Sequence, residues 1–261
     1  MEEVVTNIIK KFIRKAFNKI GYDIHKIIPK NLPFEEAITY IIHNNDINVE
    51  IIFDVGANIG QSAIKFRNLF KDAKIYCFEP FEKSYKRILA KTQSDKNIHV
   101  FNIALAESNG IKNFYINEYS DLNTIMPSLK KTHSYHYGGR NERIIEVKVA
   151  TIDEFVTNYS LPKINVLKID IEGGELLCLQ GASQTLSSEN IDLIYLEVGF
   201  APRYEGEPFF ENICNYLNKY NYRFFNFYNL RYANNGQLRI GDALFLNPKI
   251  SLKILNKYKP S

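Results

Sequence analysis

Ile51-Ile52-Phe53-Asp54-Val55-Gly56-Ala57-Asn58-Ile59-Gly60-Gln61 is the stretch from which the rest of this chain can be read. An apolar run ends in an acid, and the glycines that follow allow a tight turn from a strand into a helix. Such a turn predicts a nucleotide-cofactor loop whose helix, opening at about Gly60, points free amides at a ligand above the strand end. A second apolar run, Ile75-Tyr76-Cys77-Phe78, ends in Glu79. In a doubly wound sheet that is where ribose hydroxyls meet a carboxylate.

The spacing selects the nucleoside. A dinucleotide fingerprint needs Gly-x-Gly-x-x-Gly, whose second glycine lets the backbone touch a pyrophosphate. Here Asn58 holds that place and the pattern is Asp-x-Gly-x-x-x-Gly. Without the anion cradle, the charge of Asp54 favours a cationic centre, and S-adenosylmethionine carries one as a sulfonium. Two rival readings are an NAD-dependent oxidoreductase on a similar sheet and a non-catalytic glycan-binding or scaffolding protein.

Strands are predicted near 50–54, 74–78, 98–102, 164–169, 191–197, 222–228 and 241–246. Helices are expected near 60–70, 81–92, 151–159, 174–186 and 207–219. Near-continuous apolar strands such as Val166-Leu167-Lys168-Ile169 suit a parallel sheet covered on both faces. The turn-rich Asn234-Asn235-Gly236 joins the last two strands as a hairpin, which makes one of the seven antiparallel. Ligands in such sheets bind beyond the strands' carboxyl ends, which points to Asp54, Glu79, Asn102, Asp170 and Glu197.

Lys168-Ile169-Asp170-Ile171-Glu172-Gly173-Gly174-Glu175 is the second strong signal. A strand delivers two carboxylates, and two glycines then turn the chain into a helix. Transfer of a methyl group to an alcohol needs the hydroxyl held in line and its proton removed. Asp170 and Glu172 are the first candidates for that base, with Glu197 and His136 behind them. The insertion at 106–150 is polar and aromatic, as a sugar-binding surface tends to be, and Ser120, Asp121, Asn123, Tyr137 and Arg140 are its candidate substrate contacts. Its alternative reading is a solvated loop with a small hairpin at 114–116 and 144–149. His133 and His136 stand three apart in a loop, and no metal is assigned.

The 261 residues are 45% hydrophobic, which suits one large domain with appendages. The formal charge of +4 is uneven. Residues 1–30 hold seven Lys/Arg against three acids, and residues 249–261 hold four Lys and no acid, while the body carries 22 basic against 26 acidic side chains. Basic character confined to the ends argues against a nucleic-acid-binding face. Cys77, Cys178 and Cys214 share no metal or disulfide spacing, so a reducing cytoplasm is expected. Neither a secretory signal nor a membrane-spanning run is read.

Val4, Val5, Ile8, Ile9, Phe12, Ile13, Ala16, Phe17 and Ile20 form a helical apolar stripe flanked by Lys10, Lys11, Arg14, Lys15 and Lys19. This basic amphipathic helix suits packing on the domain or on a second subunit of a homo-oligomer. It also suits a peripheral contact of residues 1–21 with the inner face of an anionic membrane. The expected organisation is a helical extension at 1–46, a catalytic domain at 47–248 and a basic tail at 249–261.

Asp54-Val-Gly-Ala-Asn-Ile-Gly-Gln61, Phe78-Glu79-Pro80, Asn102-Ile-Ala-Leu105, Thr151-Ile-Asp-Glu-Phe155 and Leu167-Lys-Ile-Asp-Ile-Glu-Gly-Gly-Glu175 occur in order. Over residues 48–247 this resembles the FkbM family of S-adenosylmethionine-dependent methyltransferases. The resemblance implies a class I methyltransferase fold, a Rossmann-like α/β sheet of seven strands, and O-methylation of a small-molecule or glycan acceptor. It also implies that Asp54, Gly56, Ala57, Asn58 and Gly60 hold the methionine end of the cofactor. Glu79 would meet the ribose, with Pro80 beside it among the cofactor-binding residues, Asn102 and Ala104 would surround the adenine, and Asp170 would lie beside the reacting methyl. The leader ending in Gly21-Tyr22-Asp23-Ile24 resembles those of members linked to surface-polysaccharide pathways, which makes a sugar hydroxyl the leading acceptor. Asp121-Leu122 departs from the glycine-containing form of the family's small polar loop.

Overall fold

The computed structural model describes residues 34–118, 122–127, 129 and 141–257. The chain divides into two compact units, 1–37 and 38–261, and the architecture below is that of the second. The elements of the described residues begin with α1 (Phe34–Asn44), β1 (Ile51–Val55), α2 (Gln61–Leu69), β2 (Lys74–Phe78), α3 (Glu82–Thr92) and β3 (Ile98–Phe101). There follow β4 (Ala104–Leu105), β5 (Gly110–Asn117), β6 (Asn141–Ala150), α4 (Ile152–Asn158), β7 (Ile164–Ile169), α5 (Glu175–Gln180) and α6 (Ser183–Ser187). The chain continues through β8 (Ile191–Gly199), α7 (Phe210–Asn218), β9 (Arg223–Tyr232), β10 (Leu238–Leu246) and α8 (Pro248–Lys257).

Seven strands form one sheet in the order β3-β2-β1-β7-β8-β10-β9. The first five run parallel, and β10 lies antiparallel between β8 and β9. The register fixes the site. Val55 pairs with Phe78 on one side and with Ile169 on the other, so β1, β2 and β7 end level. Gly56, Glu79 and Asp170, each the next residue, therefore emerge together.

One sheet face presents Phe53, Val55, Leu167, Ile169, Ile194, Leu196 and Phe245 to a core completed by Phe155 of α4, Leu179 of α5, Leu186 of α6 and Leu217 of α7. Strand alternation turns Asp54, Lys168, Tyr195 and Glu197 to the opposite face. Much of the expected insertion is ordered as β5 and β6, which pair antiparallel and extend with β4 into a small second sheet. Phe114, Ile116, Val147 and Val149 give it a core of its own.

The helix expected over 174–186 is two helices. Gly181 stands at the break, where a Cβ would lie 2.1 Å from the Ala106 carbonyl oxygen. Its own carbonyl accepts the Asp153 amide, and the Asp153 carboxylate caps α6 by accepting from the Gln184 and Thr185 amides. Within the C-terminal stretch read as a tail, the described residues, through Lys257, belong to α8, with Ile250 buried and Leu252 and Leu255 exposed. No helix among the described residues is long and apolar enough to cross a membrane.

Candidate active site

The turn after β1 brings two strand ends unusually close. Gly56 has φ +75°, and a Cβ on it would stand 1.9 Å from the Asp170 carbonyl oxygen. Only glycine lets β1 and β7 approach this way. The amides of the turn itself are engaged within the protein. Gly56 and Ala57 both donate to the Phe78 carbonyl, at 3.0 and 3.2 Å, and the Asn58 amide donates to Glu79 Oε2 at 2.9 Å. The loop folds back over β2, which satisfies these donors within the protein. Ala57 and Gly60 build this turn, the Gly60 amide donating to the Ala57 carbonyl at 2.8 Å.

Beyond the level strand ends lies a cavity of about 630 Å³, open mouth included, floored by Val55, Gly56, Asp170 and Ile171. Phe78, Leu105, Phe114 and Ile125 give it an apolar slot, with Pro80 and Ala104 beside them, and Asn58, Glu79 and Asn123 contribute polar groups. Burial raises the Glu79 carboxyl to about 7, although the Phe81 and Asn58 amides favour its ionised form. Asn102 does not line the cavity. It donates to the Glu79 and Pro80 carbonyls, both at 2.9 Å, and so holds the end of β2 in place.

These residues fit an adenosyl group. The slot takes a flat heterocycle, and Glu79 keeps lone pairs for ribose hydroxyls. Asn123, read as a substrate contact, lines this same cavity. Its Oδ1 accepts the Asn117 amide at 2.8 Å, while its buried Nδ2 has no hydrogen-bond partner and is a donor left for a ligand.

Asp54 lies elsewhere than expected. It is fully buried beneath the cavity floor, accepts from Ser62 Oγ, and stands 3.1 Å from Lys168 Nζ. Lys168 also donates to the Gly56 carbonyl at 3.0 Å and approaches Asp170 Oδ2 at 3.6 Å. Burial opposes its charge, but Asp54 and Asp170 outweigh burial and push its pKa up. Asp54 is therefore the counter-ion of a buried cation. Lys168 ties three groups at the strand ends, a role the sequence motif did not reveal.

Asp170 is the half-exposed carboxylate of the site. Glu172 and Glu197, the other candidate bases in the described residues, are held by a residue the sequence reading missed. Arg203 Nη1 lies 3.1 Å from Glu172 Oε2 and 2.7 Å from Glu197 Oε2. Its Nε and Nη2 both meet Glu207 Oε1, at 2.8 and 2.7 Å, and the Tyr204 hydroxyl donates to Glu172 Oε2 at 2.9 Å. Burial raises Glu197 to about 7 against the pull of Arg203, and raises Glu172 as well. The available signal for Arg203 was its place, six residues past Glu197 and four before Glu207. Ser120, Asp121, His136, Tyr137 and Arg140 lie outside the described residues, as does His133.

The strand order, the glycine turn after β1 and the acids that follow β2 and β7 define a class I methyltransferase. Residues 54–224 match the family described as the methyltransferase FkbM domain, and the chain belongs to that family. Its methyl donor is S-adenosylmethionine. Among curated proteins it is similar to the 2-O-methyltransferase NoeI of Sinorhizobium fredii, at 25% identity over 60% of this chain and 66% of that one. It is also similar to the hexuronic acid methyltransferase AglP of Haloferax volcanii, at 27% identity over 67% of each chain. The chain thus spans about two thirds of the length of these relatives. Among solved structures, magnesium protoporphyrin IX methyltransferase from Synechocystis PCC 6803 aligns with a TM-score of 0.44 at 12% identity, over 90% of this chain and 96% of that one.

Proposed function

We propose that this chain transfers a methyl group to a hydroxyl of a sugar, within a surface polysaccharide or another glycan under assembly. The observation that carries the reading is the placement of Asp170, half-exposed at the cavity floor beside the level ends of β1 and β2. S-adenosylmethionine, when bound, supplies the electrophilic methyl. Asp170 accepts the hydroxyl proton as the new carbon–oxygen bond forms, and Lys168 beneath it holds the carboxylate in position. Glu172 and Glu197 are engaged by Arg203, which favours Asp170 as the base. The NoeI and AglP names, a 2-O-methyltransferase and a hexuronic acid methyltransferase, support a sugar acceptor. Family membership weighs against the oxidoreductase reading.

The test is a methyl-transfer assay with radiolabelled donor and a panel of nucleotide sugars, lipid-linked glycans and simple phenols. Label should enter a glycan and resist mild base, as an ether does and an ester does not. Asp170→Asn should lower turnover by about 10²-fold or more while leaving affinity for S-adenosylhomocysteine within a few fold. Label entering phenols alone would contradict the reading.

A further inference from the structure

Asp170, Glu172 and Glu197 offer three carboxylate oxygens within 4.8 Å of one another, a spacing that a divalent cation could bridge. Two of the three already share a cation. A single guanidinium nitrogen of Arg203 lies between Glu172 and Glu197, at 3.1 and 2.7 Å. The group is fixed from behind, since Glu207 accepts from the guanidinium through Oε1 and from the Arg203 and Tyr204 amides through Oε2, at 2.6 and 3.2 Å. Gly199 leaves the room for this, because a Cβ there would stand 2.9 Å from Glu207 Oε1.

We propose that Arg203 is the built-in counter-ion of this cluster, occupying the place a divalent cation would take between Glu172 and Glu197 and leaving Asp170 as the member open to the acceptor. Carboxylates this close and this buried cannot both stay ionised without a compensating charge. Arginine supplies one that no ordinary pH removes, in a planar fork that suits two acceptors. A metal ion would have to displace a side chain held by further bonds to Glu207. Arg203 is thus a positioning residue: it acts on the site through Glu172 and Glu197. The cluster becomes a metal site only when that charge is taken away.

The test is a Mn²⁺ titration of the full chain, followed by electron paramagnetic resonance, for the wild type, Arg203→Lys and Arg203→Met. Calorimetric binding of S-adenosylhomocysteine confirms in each case that the cofactor cavity is intact. The wild type and Arg203→Lys should bind no stoichiometric Mn²⁺. Arg203→Met should gain one site, at least about tenfold tighter than any in the wild type, that disappears when Glu197→Gln is added. The proposal is overturned if the wild type binds one Mn²⁺ that Glu197→Gln abolishes, or if Arg203→Met keeps its cofactor affinity and gains no Mn²⁺ site. Should Arg203→Met fail to fold, the wild-type titration with its Glu197→Gln control decides on its own.

Discussion

At the scale of single residues, the site is built from charges that do different work according to how deeply they lie. Glu79 borders the cavity with a carboxyl raised to about 7 by burial, so near neutral pH it carries a proton part of the time. A ribose hydroxyl donates best to the ionised form. Affinity for S-adenosylhomocysteine should therefore rise as pH increases from about 6 to 8, and Glu79→Gln should flatten that dependence, as calorimetry across the range would show. An unchanged slope in Glu79→Gln would assign the titration to another group. Asp54 lies deeper and answers to Lys168 instead. Asp54→Ala takes from a buried ammonium its nearer carboxylate, leaving the more distant, half-exposed Asp170, and should cost about 3 kcal/mol of stability. Adding Lys168→Met should recover much of that loss in thermal melts. If Asp54→Ala melted like the wild type and lost only cofactor binding, Asp54 would be a direct ligand contact after all.

At the scale of elements, the turn after β7 shows how a helix N-terminus is tied to the strand before it. Glu175, in the first turn of α5, accepts the Ile171 and Gly173 amides through Oε1, and burial raises its carboxyl to about 8. The folded chain therefore keeps a proton that the unfolded chain releases near the ordinary value of 4.5. The resulting stability is full below about 4.5 and is lost as pH rises through about 8. Glu175→Gln keeps the acceptor oxygen and removes the titration, so urea unfolding between pH 5 and 8.5 should show a smaller fall in stability than in the wild type. An equal fall would place the effect elsewhere. The strands around this turn were readable because each is a short apolar run closed by a polar residue or glycine. The break in the helix over 174–186 was not, since the carbonyl that excludes a side chain at Gly181 comes from Ala106, 75 residues earlier.

At the scale of the whole molecule, function follows from register. Three parallel strands end level, and this gathers Gly56, Glu79 and Asp170 from positions 114 residues apart along the chain. The sequence carried that gathering in its motifs, because each motif is a strand with its own end. What it did not carry were the pairs made between strands. Asp54 with Lys168 depends on the β1–β7 register, and Arg203 with Glu172 depends on how the chain folds back after β8. Both change the chemistry. One withdraws an expected ligand contact into the floor, and the other engages two of the candidate bases. The cavity and its open carboxylate survive both changes, and they are where the proposed reading puts the nucleoside.

A calorimetric titration of the purified full chain, with S-adenosylhomocysteine in one run and NAD⁺ in another, bears most directly on that placement. One equivalent of S-adenosylhomocysteine should bind saturably, with NAD⁺ giving no heat and failing to compete. Binding of NAD⁺ with no response to S-adenosylhomocysteine would contradict the account.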